Sequence, residues 1–179
     1  MSPENVIARI RDGDERAFEE LFRTHYSSLC HFAARYVRDD AVAEELVQDL
    51  FADLWARRRD WKVRDSVRAY LFASVRNRAL NVRKRQVMEI DWEEDEAAAE
   101  VRALHSAPEP ADAGLDRADL RARLDRALTA LPERCRLVMH LRWREQMRHA
   151  EIAAVMGISV KGVENQLARG LMAIRQRFV

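Results

Sequence analysis

At 179 residues, with 48% apolar side chains and only 5 Gly and 4 Pro, the chain suits one domain or two small helical ones rather than a sheet protein. No apolar run approaches the roughly 18–20 residues that span a bilayer, and the opening "MSPENVIARIRDGDE" lacks the basic-then-apolar layout of a signal peptide. The net charge of +1 hides a strong segregation: two acidic stretches alternate with two basic ones, a pattern that points to a polyanionic partner.

Residues 1–56 carry 6 basic and 12 acidic side chains. Within them "DERAFEELFRTHYSSLCHFAARYVRDD" supplies one or two amphipathic helices. Asp39 and Asp40 precede "AVAEELVQDLFADLW", where Ala43, Val47, Leu50 and Leu54 recur at the spacing of one helix face. Residues 57–88 turn basic, with 11 basic and 2 acidic side chains. After "ARRRDWKVRD", Ser66 suits the cap of a further helix. Val67, Tyr70, Leu71, Ser74 and Val75 form its apolar stripe, and Arg68, Arg76 and Arg83 fall on the opposite side at about 100° per residue. Trp55, Trp61, Tyr70 and Phe72 surround the basic stretch "RRRDWKVRDS" just upstream. Arginines interleaved with aromatics suit a melted or single DNA strand, although an exposed, well-capped helix accounts for the same charges and packing claims Phe72 and Trp55.

Residues 89–116 hold 1 basic and 10 acidic side chains with Ser106, Pro108, Pro110 and Gly114. This stretch reads as an acidic, flexible linker. It divides an N-terminal domain, 1–88, from a C-terminal one, 117–179, in which 13 basic residues face 6 acidic ones. Leu120, Leu124, Ala127, Leu128 and Leu131 make one stripe, and Pro132 separates that helix from the next. In "HAEIAAVMGISVKGVENQLARGL" a short helix ends at Gly157, a left-handed stop, and Ser159 caps the last helix. Val160, Val163, Leu167, Leu171 and Ile174 are its expected buried stripe. Lys161, Asn165, Ala168, Arg169 and Met172 face away, with Glu164 on the border. Two helices joined by "GIS" match a DNA-reading helix-turn-helix, and a packed hairpin without DNA gives the same spacing.

No catalytic constellation accompanies these features. The chain has no phosphate-cradling glycine loop, no HExxH and no nucleophile elbow, so neither an enzyme nor a cofactor is expected. Cys30 and Cys135 stand apart without CxxC spacing, which fits a reducing cytoplasm. Cys135 with His140 makes a poor metal pair, and no metal site is expected.

The order of "GDERAFEELFRTHY…DDAVAEELVQDLFADLW", "SVRAYLFASVRNRALNVRKR" and "ALTALPERCRLVMHLRW…HAEIAAVMGISVKGVENQLARGLMAIRQRF" resembles the extracytoplasmic-function sigma factors of the bacterial sigma-70 family. The resemblance implies an all-α fold of two small helical domains, a region 2-like bundle and a region 4-like helix-turn-helix domain. It implies a promoter-recognition subunit that binds core RNA polymerase. Glu45, Gln48, Asp49, Phe51, Leu54 and Trp55 correspond to the polymerase-docking face. Trp61, Lys62, Arg64 and Ser66 correspond to the loop that captures an unstacked −10 base. Arg68, Arg76, Asn77, Arg78 and Arg83 would line the melted strand. Lys161, Gly162, Glu164, Asn165, Ala168 and Arg169 correspond to the −35 reading helix, with Arg148 and Ser159 near its phosphates. Gly162 and Glu164 depart from the threonine and basic residues common in relatives, which unsettles the promoter preference.

The resemblance further implies an anti-sigma partner, no membrane insertion and a monomer when free. The acidic linker is expected to thread a basic polymerase channel, to screen the two basic blocks in the free protein, or simply to solubilise. The rival readings are a stand-alone helix-turn-helix transcriptional regulator and a helical adaptor without a DNA role.

Overall fold

The computed structural model describes residues 3–63, 66–90, 124 and 126–178, and every regular element among them is helical. Helix α1 (Pro3–Arg11) leads into α2 (Glu15–Val37) and α3 (Asp40–Ala56); a 3₁₀ turn (Arg58–Asp60) precedes α4 (Val67–Ile90). In the C-terminal half, helical residues 126–129 precede α5 (Glu133–Met139). A π turn (His140–Arg144), α6 (His149–Met156) and α7 (Val160–Phe178) follow. Helix α4 thus runs two residues past the expected boundary at 88; the linker from 91 onward, and Arg64, lie outside the described residues.

Local chemistry sets these boundaries. Asp14 caps α2 by accepting from the Ala17 N–H at 3.0 Å, and Arg9 donates to the same carboxylate at 2.8 Å. Arg38, at φ 57°, ends α2 in a left-handed turn, and Asp39 then caps α3 through the Val42 N–H at 3.1 Å. Ser66 accepts from the Ala69 N–H, as the sequence suggests. Gly157 closes α6 at φ 62°, and Ser159 accepts from the Gly162 N–H at 3.0 Å at the start of α7. Asp39→Ala is expected to destabilise the protein by about 1 kcal/mol, the usual value of such a cap. A urea titration followed by circular dichroism checks it.

The expected stripe of α3 is buried as a set: Ala43, Val47, Leu50 and Leu54 are all core residues. Helix α4 buries more than its predicted stripe. Val67, Leu71 and Val75 are in the core, and so are Ala69, Phe72 and Ala79. The reason is that α4 packs on α2 and α3 with one side and on α6 of the C-terminal half with another. The two halves therefore share one hydrophobic core. Phe32 of α2 sits at its centre, fully buried, with ring centroids 5.4 Å from Tyr36, 5.0 Å from Phe72 and 6.3 Å from His140.

The stripe of α7 is shorter than its periodicity predicts. Val163 and Leu167 are buried and Ile174 is half-buried, but Val160 is 44% exposed and Leu171 51% exposed. Among the described elements, α5 and α6 give the helix its main cover. It approaches α5 closely: a Cβ at Gly170 would collide with Met139 Sδ and lie 3.1 Å from Cys135 Sγ.

Candidate functional site

Three surfaces gather the residues singled out by the sequence. The first is an apolar groove between α2 and α3, enclosing about 470 Å³ and lined by Phe18, Phe22, Phe51 and Trp55 with Glu15, Glu19 and Gln48 at its rim. Its rings pack edge to face or tilted: Phe18–Phe51 centroids are 5.9 Å apart, Phe22–Phe51 4.9 Å and Phe18–Trp55 4.9 Å. Arg58 stacks over Trp55 at 4.4 Å and donates to its carbonyl at 2.8 Å, which steadies the indole. Glu45, Gln48 and Asp49 are exposed and Trp55 half-buried. Phe51 and Leu54, expected on the docking face, are core residues at 3% and 6% exposure. Phe51 lines the floor of the groove, whereas Leu54 is taken into the core by the side of α3 that packs on α2 and α4. Sequence reasoning missed Phe18 and Phe22, whose helical spacing from one turn to the next was the available signal.

The second surface belongs to α4 and the segment before it. Trp61, expected in a base-capturing loop, is instead buried at 4% exposure, 5.9 Å from the Tyr70 ring, with no hydrogen-bond partner for Nε1. The turn at Arg58–Asp60 folds the indole inward against the start of α4. Lys62 and Asn77 are exposed and Ser66 is half-buried. The arginines are engaged. Arg68 donates to Glu145 at 2.6 Å, Arg83 to Glu133 at 2.9 Å and Arg78 to Asp53 at 2.6 Å. Arg76 is half-buried against the Gly157 turn, and its Nε has no hydrogen-bond partner.

Glu145 is the acceptor at the centre of this surface and is itself buried at 4% exposure. Burial pushes its pKa up, but His140 and Arg68 beside it more than offset that and hold it below the ordinary glutamate value. The Nε2 of His140 lies 3.5 Å from Glu145, short of hydrogen-bond geometry. Burial lowers the His140 pKa, Glu145 opposes, and the charges of Arg35 and Arg144 reinforce the drop. His25 is lowered in the same way, by burial first and then by Arg68, against Glu145. Both imidazoles are therefore neutral in the folded chain at pH 7, which binds fewer protons there than the unfolded chain does on acidification. Their contribution to stability is complete above about pH 6.5 and is lost as pH falls through the depressed native values. Glu145 and Glu151, also depressed, keep their contribution until more acid pH. The melting temperature is accordingly expected to fall as the pH drops below about 6.5, and less steeply in His140→Gln. A pH series of thermal melts checks both.

The third surface is the outer face of α7 and the turn before it. Arg148, Ser159, Lys161, Glu164, Asn165, Ala168 and Arg169 are all exposed, and Gly162 is half-buried. Lys161 donates to Glu164 at 3.2 Å, and the backbone N–H of Arg148 to Glu151 at 2.9 Å, which completes the start of α6. The face is largely polar, continuous along one helix and uncovered by the other described residues, as a helix entering the major groove requires. Among the described residues no His, Cys, Asp and Glu group is arranged to hold a metal ion. No helix of the described residues is long and apolar enough to cross a membrane.

Comparison with known proteins matches both halves separately. The description Sigma-70 region 2 matches residues 21–87, and Sigma-70, region 4 matches residues 121–174. The ECF RNA polymerase sigma factor RpoE of Cereibacter sphaeroides is 28% identical over 96% of this chain and 92% of its own length. The RNA polymerase sigma-E factor of Streptomyces coelicolor is 31% identical over 93% of this chain and 89% of its own. Among solved structures, the sigma factor RpoE of Bartonella quintana, crystallised with the anti-sigma factor NepR, shares the fold. Its TM-score is 0.63 at 22% identity, covering 90% of this chain and 96% of that one.

Proposed function

The chain belongs to the extracytoplasmic-function sigma factors of the sigma-70 family, and from that premise we propose how its three surfaces divide the work. As a sigma factor it binds core RNA polymerase and directs promoter-specific initiation through −10 melting and −35 recognition. It is a regulatory subunit in a family of non-enzymatic proteins.

Residues 1–88 act as the region 2 domain, 117–179 as the region 4 domain, and 89–116 connects them. The α2–α3 groove, with Trp55 as its half-buried anchor and Gln48 at its rim, docks on the polymerase together with the exposed Glu45 and Asp49 of α3. An aromatic groove inside an acidic and polar rim has the layout of a protein-binding hot spot. Lys62, Arg64, Ser66, Arg68, Arg76, Asn77, Arg78 and Arg83 receive the melted −10 strand, whose phosphates pair with the guanidiniums. Trp61 supports this segment from the core. The exposed face of α7 reads the −35 duplex: Asn165, Glu164 and Arg169 reach base edges, while Lys161, Arg148 and Ser159 hold phosphates. Gly162 allows close approach of the first turn. Glu164 accepts a hydrogen bond from the cytosine N4 amino group most readily, which marks the promoter preference. An anti-sigma factor and a cytoplasmic setting complete the proposal; both follow from the family.

The observation that carries this reading is the pairing of an open polar helix face in one half with an arginine-lined helix in the other. Reconstitution with core polymerase and run-off transcription from a candidate promoter tests it. Formation of a holoenzyme that initiates at discrete sites supports it, and failure to bind core at low salt would falsify it. Sequence-specific duplex binding without polymerase would favour the stand-alone regulator.

A further inference from the structure

Glu164 is the one acid among the residues assigned to the −35 face, a surface that meets a polyanion. It stands on the second turn of α7, three residues after Lys161, and the Lys161 ammonium donates to its Oε2 at 3.2 Å. Side chains at that spacing are neighbours on one helix face. The two are 78% and 46% exposed, so the pair is turned to solvent rather than built into the packing. The helix beneath them is firmly seated. Val163 is fully buried, and Ser159 accepts from the Gly162 N–H at 3.0 Å to fix the first turn. Ala168, one turn beyond Glu164, is exposed and short, which leaves the carboxylate open on that side.

From this juxtaposition we propose that Lys161 and Glu164 read the −35 duplex as one unit. Lys161 is a positioning residue: its ammonium holds one carboxylate oxygen of Glu164 together with a neighbouring phosphate, and the other oxygen accepts from the N4 amino group of one cytosine. The proposal rests on the assignment of the α7 face to the −35 duplex and deepens it, because a backbone contact then decides a base. A glutamate alone in the major groove is repelled by the phosphates on either side and gives up its water there. An ammonium has three N–H donors and no acceptor, enough to satisfy a carboxylate and a phosphate at once. With Lys161 in place the pair enters the groove without net charge, and the carboxylate is held in one position. Its free oxygen then selects by hydrogen-bond polarity. Cytosine presents its N4 donor, guanine and thymine present the acceptors O6 and O4, and adenine sets the acceptor N7 beside its N6 donor. A lysine bound to phosphate only would weaken binding to all sequences alike, whereas this lysine also sets a preference at one base pair.

The test uses the full chain assembled with core polymerase and a promoter fragment that supports run-off initiation. Each −35 base pair is changed in turn to the other three, and binding is read by competition. The native chain is expected to prefer cytosine at one position by roughly tenfold. Glu164→Gln, whose amide donates as well as accepts, is expected to cut that preference to under about threefold and to leave the other positions unchanged. Lys161→Met keeps the length of the side chain without its charge. It is expected to weaken binding to every fragment and, in addition, to cut the same preference by about threefold or more, whereas Lys161→Arg keeps it within about twofold. In the double variant the Lys161 substitution takes nothing further from that preference, as for two residues that act together. Arg148→Met provides the phosphate-only comparison, with an even loss across all fragments. All three positions are exposed, so thermal melts of the variants are expected to match the native chain. If Lys161→Met weakens every fragment evenly, as Arg148→Met does, while Glu164→Gln relaxes one position, the coupling is overturned and the −35 role of α7 stands. If Glu164→Gln leaves every preference unchanged, the pair reads no base and the proposal is overturned; Asn165→Ala and Arg169→Ala then show whether α7 reads the duplex through them. If none of these variants changes any −35 preference, the assignment of α7 fails and takes the pair with it.

Discussion

Replacing Phe32 with alanine is expected to lower the unfolding free energy by about 3–5 kcal/mol, the range for a fully buried phenylalanine. Its ring is completely enclosed and touches Tyr36 on its own helix, Phe72 on α4 and His140 beyond the chain midpoint. Truncation removes apolar area and leaves a cavity that rigid helices on three sides cannot close. The loss falls on both halves because the ring belongs to both. A denaturant titration monitored separately by tryptophan fluorescence and by far-ultraviolet circular dichroism reads it. A change under about 1 kcal/mol would mean that the site collapses on the deletion and that the contact between the two halves is looser than the packing indicates.

Trp55→Ala is expected to weaken binding of core polymerase by about 2 kcal/mol or more, roughly thirtyfold, as for the central aromatic of a protein interface. The indole is half-buried in the groove, held by Phe18 on one side and by Arg58 on the other, so it is preorganised for a partner. Gln48→Ala, at the exposed rim, is expected to change affinity less than about fivefold. Competition against a labelled sigma factor for core polymerase, with thermal melts to confirm that each variant folds, separates the two. Equal effects at both positions would remove the groove as the docking centre.

Much of this arrangement is legible in the sequence, and the reasons for the exceptions are physical. Caps and stops are local, so Ser66, Ser159 and Gly157 do what their positions suggest. The stripe of α3 is legible because one face meets one layer. Helix α4 is different: its second buried row mixes Ala69, Phe72 and Ala79 with the stems of Arg68 and Arg76, so periodicity sees only the cleaner row. Val160 and Leu171 fit a helical stripe and are nonetheless exposed, because periodicity records which side is apolar and not how far the neighbours extend. Trp61 looks like a stacking platform beside its cations, yet the turn before α4 carries it inward. Glu133 and Glu145 give no local signal at all. Their arginines are 50 and 77 residues away, and only the tertiary fold brings them together.

The π turn at His140–Arg144 bears on how the C-terminal helices come to meet α4. Its widened bonding, with the Glu145 N–H reaching back to the His140 carbonyl at 3.2 Å, accommodates one more residue than a regular helix would over the same rise. Removing that residue would rotate everything after it by about 100° and swing the Glu145 carboxylate off Arg68. A single codon gained or lost here would therefore reset which side chains of the following helices face α4, while leaving the sequence of the reading helix untouched. In an alignment such a change would show as a gap of one column rather than as a change of residue.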